Sequence, residues 1–259
     1  MRAKYDNSDD NDYDQDYLII DEASMISNED WIKVKLIIET HNYHKIIILG
    51  DTKQLQPVGK GQLYNILCDK SNTLYLNHTF RSDNQSIITH SKNIINKGVF
   101  DGTRFNKKDI SYILDDIDNR QIIVYNNTRR KDINENLLNI QHKNNIYKYK
   151  FICNDNEDKC KGKIFTYISN TKLNFKERNN NHILIDSIGY NGELCLAYCI
   201  TIHKSQGAEW DEVIVDVDSF DGVNCNLAYV AATRPIKNMY VVTKTRTKIL
   251  SFDKRNCCV

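Results

Sequence analysis

The sequence has almost no net charge. Across 259 residues the formal balance is +1, so no overall basic field advertises a polyanion partner. Any nucleic-acid groove has to come from local clusters of Lys and Arg. Apolar runs are short, and none approaches the length of a membrane span. The N-terminus, MRAKYDNSDDNDYDQD, is acidic, the opposite of a secretory leader. Glycine and proline are few, ten and two, while Asn, Ile, Lys, Asp and Tyr abound. That bias reads as an AT-rich coding sequence and says nothing of the fold. The eight cysteines are irregularly spaced, and neither Cys153/Cys160 nor Cys195/Cys199 forms a CxxC pair. With no His at finger-like spacing after them, reduced structural thiols are expected rather than zinc or a disulfide frame. There is no internal repeat.

What is present is globular. The hydrophobic fraction is 41% and the aromatic fraction 10%, enough for one large domain or two smaller ones. Short continuous apolar runs recur: YLII (17–20), IIIL (46–49), LYL (74–76), IIVY (122–125), VIVDV (213–217) and MYVV (239–242). Apolar residues at consecutive positions imply strands buried on both faces, as in a parallel sheet between helices. Helical stretches alternate with them. Ser27 to Asp30 reads as a capping box before a stripe of Trp31, Val34, Ile37 and Ile38. Asp83 opens a second helix, with Ile87, Ile88, Ile94 and Ile95 inward and Gly98 as its stop. Thr128 starts a third, carrying Ile133, Leu137 and Ile140. The pattern is α/β. Residues 151–194 break the rhythm with short strands and Asn-rich turns, and are expected to form a small β insertion. Residues 1–16 have no period and are expected to be a disordered lead-in.

Five polar constellations follow apolar runs. In 17-YLIIDEASMIS-27, Asp21 at a strand's carboxyl end suits water-mediated Mg²⁺ binding, and Glu22 suits positioning or deprotonating a water. In 50-GDTKQLQPVG-59, Asp51 and Gln54 follow a second such strand, where ligands bind in open α/β sheets. In 77-NHTFRS-82, Arg81 sits before a helix start. In 201-TIHKSQGAE-209, Thr201, His203, Lys204 and Ser205 crowd before Gly207, suited to a phosphodiester backbone. In 227-LAYVAATRP-235, Arg234 closes a mostly apolar helix. Taken singly, the commoner explanation of each is bland: an acidic loop start, a turn or a solvated Arg.

Together and in this order they resemble the RecD-like branch of superfamily 1 DNA helicases. Asp21-Glu22 match motif II, GDTKQLQPV motif III, HTFRS motif IV, Thr201 to Glu209 motif V, and YVAATR motif VI. IIVYNNTRRKDIN, 122–134, is similar to that family's strand and helix ahead of the β insertion. The resemblance runs from Tyr17 to about Lys244. Gln56 stands for a usual Pro and Ala232 for a larger apolar residue. The resemblance implies two RecA-like P-loop NTPase lobes with parallel sheets, ATP and Mg²⁺ between them, and single-stranded DNA crossing both. RNA is the runner-up substrate. On it, Asp21 holds Mg²⁺ through water and Glu22 positions the attacking water. Gln54, Arg81 and Arg234 act on the γ-phosphate, and Asp51, Gly207 and Glu209 line the nucleotide, Glu209 at the ribose. Phe80 stacks on adenine, and Thr201, His203, Lys204 and Ser205 hold the strand. An Arg finger contributes about 10³–10⁵ in turnover in related NTPases.

One part is missing. The phosphate loop GxxxxGK[ST] (Walker A) does not occur. Gly59-Lys60 is followed by Gly61 and Gly162-Lys163 by Ile164, and only twenty residues precede Asp21. The expected division is then 17–72 as the rear of lobe one, 73–150 and 195–259 as lobe two, and 151–194 as the insertion. Alone, the chain is expected to be inactive. Three readings follow. The first is a truncated or split helicase, 5′–3′ or a related translocase, completed by an upstream polypeptide that supplies the loop. The second is a non-hydrolysing remnant that binds single strands. The third is a non-catalytic structural module, which leaves Glu22, Gln54 and Arg234 unexplained. The first is preferred because everything from motif II onward is in place. An intracellular site is expected: cytoplasm, nucleus or a viral replication site.

Overall fold

A computed structural model describes residues 17–41, 43–55, 57, 63–70, 72–76, 81–154, 161–190, 192–242 and 247–251. The expected lead-in at 1–16, Gln56 and Phe80 lie outside the described residues. The chain divides into two compact units, Met1–Tyr75 and Leu76–Val259.

In the first unit, β1 (Tyr17–Ile20) and β2 (Lys45–Ile48) pair in parallel, Tyr17 against Lys45 through Ile20 against Ile48. Parallel strands need a crossover, and α1 (Asn28–Thr40) supplies it. Ser27 caps α1: its hydroxyl accepts the Asp30 N–H at 3.1 Å and donates to the Asp30 carboxylate at 3.0 Å. Trp31 then packs with Ile20, Ala23 and Ile26 in a small core, joined by Tyr64 and Leu67 of α2 (Leu63–Lys70). The expectation that YLII is buried on both faces fails here. Tyr17 and Ile19 are each 61% exposed, because no further layer among the described residues covers that face. The run LYL is not a strand either. Leu74 and Leu76 are 93% and 94% exposed, since backbone without ladder partners gives a three-residue apolar run nothing to pack on.

The second unit is built on a parallel sheet in the order β10–β4–β11–β12. Its strands are β4 (Arg120–Val124), β10 (Cys199–Thr201), β11 (Trp210–Val215) and β12 (Pro235–Val241). Ile122, Ile123, Val124, Val213, Ile214 and Val215 are fully buried, as double-faced apolar strands require. Helices α3 (Gln85–Lys97), α4 (Asn127–Lys143), α5 (Ile202–Ser205) and α6 (Cys225–Ala232) connect or flank them. Asn84, not Asp83, caps α3, and Asn126, not Thr128, caps α4; each accepts a first-turn N–H on its side chain. Gly98 ends α3 at φ 64°, donating to Ile94 O, as a left-handed stop does. A short antiparallel pair, β3 (Val99–Asp101) and β13 (Thr247–Ile249), lies beside α3.

A second, antiparallel sheet has the order β6–β5–β9–β8–β7. Its strands are β5 (Lys148–Cys153), β6 (Ile164–Ile168), β7 (Phe175–Arg178), β8 (Asn181–Leu184) and β9 (Leu194–Leu196). Asn179 and Asn180, both at positive φ, make the two-residue turn between β7 and β8. Arg130 of α4 holds that turn, donating to Asn181 Oδ1 at 2.8 Å and Asn180 O at 2.7 Å. Tyr149, Phe151, Leu194 and Leu196 share one core with Ile122, Ile214, Ile133 and Leu137, so this sheet packs into the unit.

Candidate functional site

In the first unit the acidic residues gather at one sheet end. The parallel register continues past the strands: Leu49 N–H donates to Ile20 O at 2.8 Å and Ala23 N–H to Leu49 O at 2.9 Å. Asp21-Glu22 and Gly50-Asp51 therefore leave the carboxyl ends of adjacent strands together, where open α/β sheets bind ligands. Glu22 sits at φ 52°, ψ 37°, an uncommon left-handed position for a residue with a Cβ. Its N–H donates to Asp21 Oδ1 at 2.8 Å. Gly50 is there for room. A Cβ on it would lie 2.8 Å from the Tyr64 ring and 3.0 Å from Ser24 N. Asp51 accepts the Lys53 N–H at 2.9 Å on its side chain and the Gln54 N–H at 3.1 Å on its carbonyl, closing a turn that carries Gln54. Magnesium bound through one carboxylate, waters and substrate phosphates needs no protein cage, and exposed Asp21 suits that donor set.

In the second unit the structure brings motifs IV, V and VI to one place. Arg81 donates from Nε to Glu209 Oε2 at 3.0 Å and from Nη1 to Thr233 O at 3.2 Å. Gly207, at φ 79°, makes the turn that leads from α5 toward Glu209 and β11. Arg234 is close in sequence but differently placed. Expected to reach outward to a γ-phosphate, it is turned inward and 1% exposed. Its Nε donates to Val230 O at 3.0 Å, Nη1 to Ala208 O at 3.0 Å and Ser205 O at 3.5 Å, and Nη2 to Thr233 Oγ1 at 3.0 Å. The guanidinium thus joins the last turn of α6 to the loop after α5, sharing Val230 O with the Thr233 N–H and hydroxyl and Ser205 O with the Ala208 N–H.

The four residues expected on a phosphodiester divide. Thr201 caps α5, accepting the Lys204 N–H. Ser205 is fully buried, its hydroxyl donating to Ile202 O at 2.7 Å, so its contact with a nucleic-acid backbone is not made from this position. His203 and Lys204 are exposed. The His203 ring lies 6.5 Å from that of Tyr125, and loss of surrounding water lowers its pKa. Lys204 Nζ donates to Asn154 Oδ1 at 3.2 Å. Its pKa is also lowered, first by loss of water and then by Arg130.

Residue-by-residue reading of the sequence missed two features near these. Arg129 donates to Asp216 Oδ2 at 2.5 Å, and the Asp216 side chain is wholly buried. Burial raises the Asp216 pKa, opposed by the Arg129 bond. Asp216 follows β11 as Asp21 follows β1, so a carboxylate after a buried strand was the available signal. At the other end of the sheet Glu212 collects four donors: Arg120 Nε at 2.7 Å, Tyr112 Oη at 3.2 Å, Asn238 Nδ2 at 3.1 Å and Tyr240 Oη at 3.1 Å. No sequence pattern marks that hub.

Comparison with known proteins bears on the domains and the fold. Residues 3–108 match the AAA domain family and residues 196–242 the UvrD-like helicase C-terminal domain. No curated protein matches the sequence. Among solved structures, the Pif1 helicase of Candida albicans is similar at 17% identity and a TM-score of 0.57, covering 92% of this chain and 74% of its own. The Pif1 helicase from Bacteroides, solved with ADP-AlF3 and ssDNA, is similar at 20% identity and a TM-score of 0.52, covering 93% and 73%. Both likenesses concern the fold, which is that of RecA-like helicase lobes.

Proposed function

We propose that this chain, of the superfamily 1 helicase type by its domains and its fold, serves ATP-driven movement along single-stranded DNA and belongs to the RecD-like branch. The observation that carries the reading is the meeting of Arg81 with Glu209 and Thr233, 128 and 152 positions away in sequence, the three each in a different motif. Asp21 holds magnesium through water and Glu22 positions the attacking water. Gln54 and Arg81 act on the phosphates. Asp51, Gly207 and Glu209 line the nucleotide, and Phe80 stacks on its base. Arg234 could touch a phosphate only by leaving its carbonyls. His203 and Lys204 meet the nucleic-acid backbone, with Thr201 and Ser205 shaping the helix that presents them. Residues 17–72 are the rear of one lobe, 73–150 and 195–259 the other, and 151–194 an insertion.

No GxxxxGK[ST] occurs among the 259 residues, so a segment beyond this sequence, in the same chain or a separate one, supplies the phosphate loop. No described helix is long and apolar enough to cross a membrane. The test is a magnesium-dependent ATPase assay on the purified 259-residue chain, with and without single strands. No turnover is expected until a polypeptide carrying the loop is added. Robust turnover by the chain alone would mean the phosphate site is elsewhere. A second reading, a non-hydrolysing single-strand binder, gains if complementation fails while oligonucleotide binding stays strong and falls steeply with salt. RNA outcompeting DNA in that assay would favour an RNA helicase.

A further inference from the structure

On that reading the second unit presents a guanidinium to an anion. Two are near the place, and they are held in opposite ways. Arg234 is sealed in, with donors on Val230, Ala208, Ser205 and Thr233. Arg81 is 39% exposed, and its partner Glu209 is 53% exposed. Among the described residues the Arg81 donors reach one carboxylate oxygen and one carbonyl, from Nε and Nη1. We propose that Glu209 is a positioning residue that stores the Arg81 guanidinium, from which a polyphosphate draws it. Arg234 fixes the floor of that store.

The chemistry follows from the donors. A carboxylate and a phosphate oxygen are alternative acceptors for one planar guanidinium fork. A pair this exposed is weak and readily exchanged. The two anchors of Arg81 belong to segments that Arg234 ties together: Glu209 follows Ala208, whose carbonyl Arg234 holds, and Thr233 precedes Arg234 itself. Without a polyphosphate, Arg81 neutralises Glu209. With one, Glu209 is released beside the bound anion, free to accept from a hydroxyl such as a ribose's. Arg81 then reports occupancy to motifs V and VI through the contacts it gives up.

The test uses the full chain with sodium tripolyphosphate as the probe and the arginine Nε–Hε resonances as the readout. Arg81→Lys identifies the Arg81 signal by its loss. In the native chain that signal moves on titration. In Glu209→Gln its midpoint falls about two- to fivefold, the size of an exposed ion pair. Arg104, 49% exposed and paired with Asp101, serves as the control, with one midpoint in both proteins. An unchanged Arg81 midpoint in Glu209→Gln, or no Arg81 response in either protein, overturns the proposal. The inference rests on the nucleotide reading but fails separately from it. Single-strand binding can survive a silent Arg81, and complementation by the loop-bearing polypeptide can fail while Arg81 still responds.

Discussion

His90 should make the second unit acid-labile, and replacing it should remove that lability. The ring lies on α3 and is fully buried, packed edge-on against Phe100 at 4.6 Å and Phe105 at 5.0 Å between centroids. Among the described residues neither ring nitrogen has a hydrogen-bond partner. Burial pushes its pKa down to about 4 from 6.5; Asp101 acts upward and Arg104 downward. The unfolded chain therefore takes the proton first. Stability is whole above pH 6.5 and is lost as pH falls through 6.5 toward 4. At about 1.4 kcal/mol per tenfold step in proton activity, the loss attributable to His90 is ~3 kcal/mol. His90→Phe keeps a ring of similar size and has nothing to protonate. It also removes two desolvated polar atoms, which should raise stability at pH 7.5 by about 1–3 kcal/mol. The assay is urea unfolding at pH 7.5, 6, 5 and 4.5. The two units have one tryptophan each, Trp31 and Trp210, so Trp31→Phe leaves Trp210 as sole reporter of the second unit. If His90→Phe loses stability on acidification as steeply as the native chain, the protonation argument is wrong.

Three further outcomes are expected. Glu212→Gln takes the carboxylate from Arg120, which is only 13% exposed and keeps Tyr112 O and Asp115, and should cost about 1–3 kcal/mol in thermal or urea unfolding; a loss under about 0.5 kcal/mol would show that the four donors find other partners. Gly50→Ala drives a methyl into Tyr64 and the Ser24 amide. It should destabilise the first unit by about 1–3 kcal/mol, read from Trp31 fluorescence, with part recovered by Tyr64→Leu; no recovery would put the clash on the backbone instead. Arg234→Lys cannot reach its separated acceptors at once. Hydrogen exchange should quicken at 205–209 while β4 stays protected, and unchanged exchange there would refute the anchoring role.

Much of this protein is written locally. The apolar runs at 122–125 and 213–217 announce buried parallel strands because consecutive apolar positions cannot suit a half-wet sheet. The ordered motifs announced the helicase relationship that the domain matches and fold share. Caps were less legible: Asn84 and Asn126 took roles read as those of Asp83 and Thr128, since several neighbouring side chains can serve a first-turn N–H. The LYL run misled because apolar composition does not supply a ladder partner.

The sequence by itself determined which chemical groups this protein owns and the order in which its strands deliver them. Tertiary structure alone decided which way those groups point. Arg81 and Arg234 look equivalent as letters, yet one lies outward on a carboxylate and the other is sealed against carbonyls. The reason is physical. The acceptors that hold Arg234 are carbonyls of a helix end and of a loop about 26 residues away in sequence, brought to it only when the chain has folded.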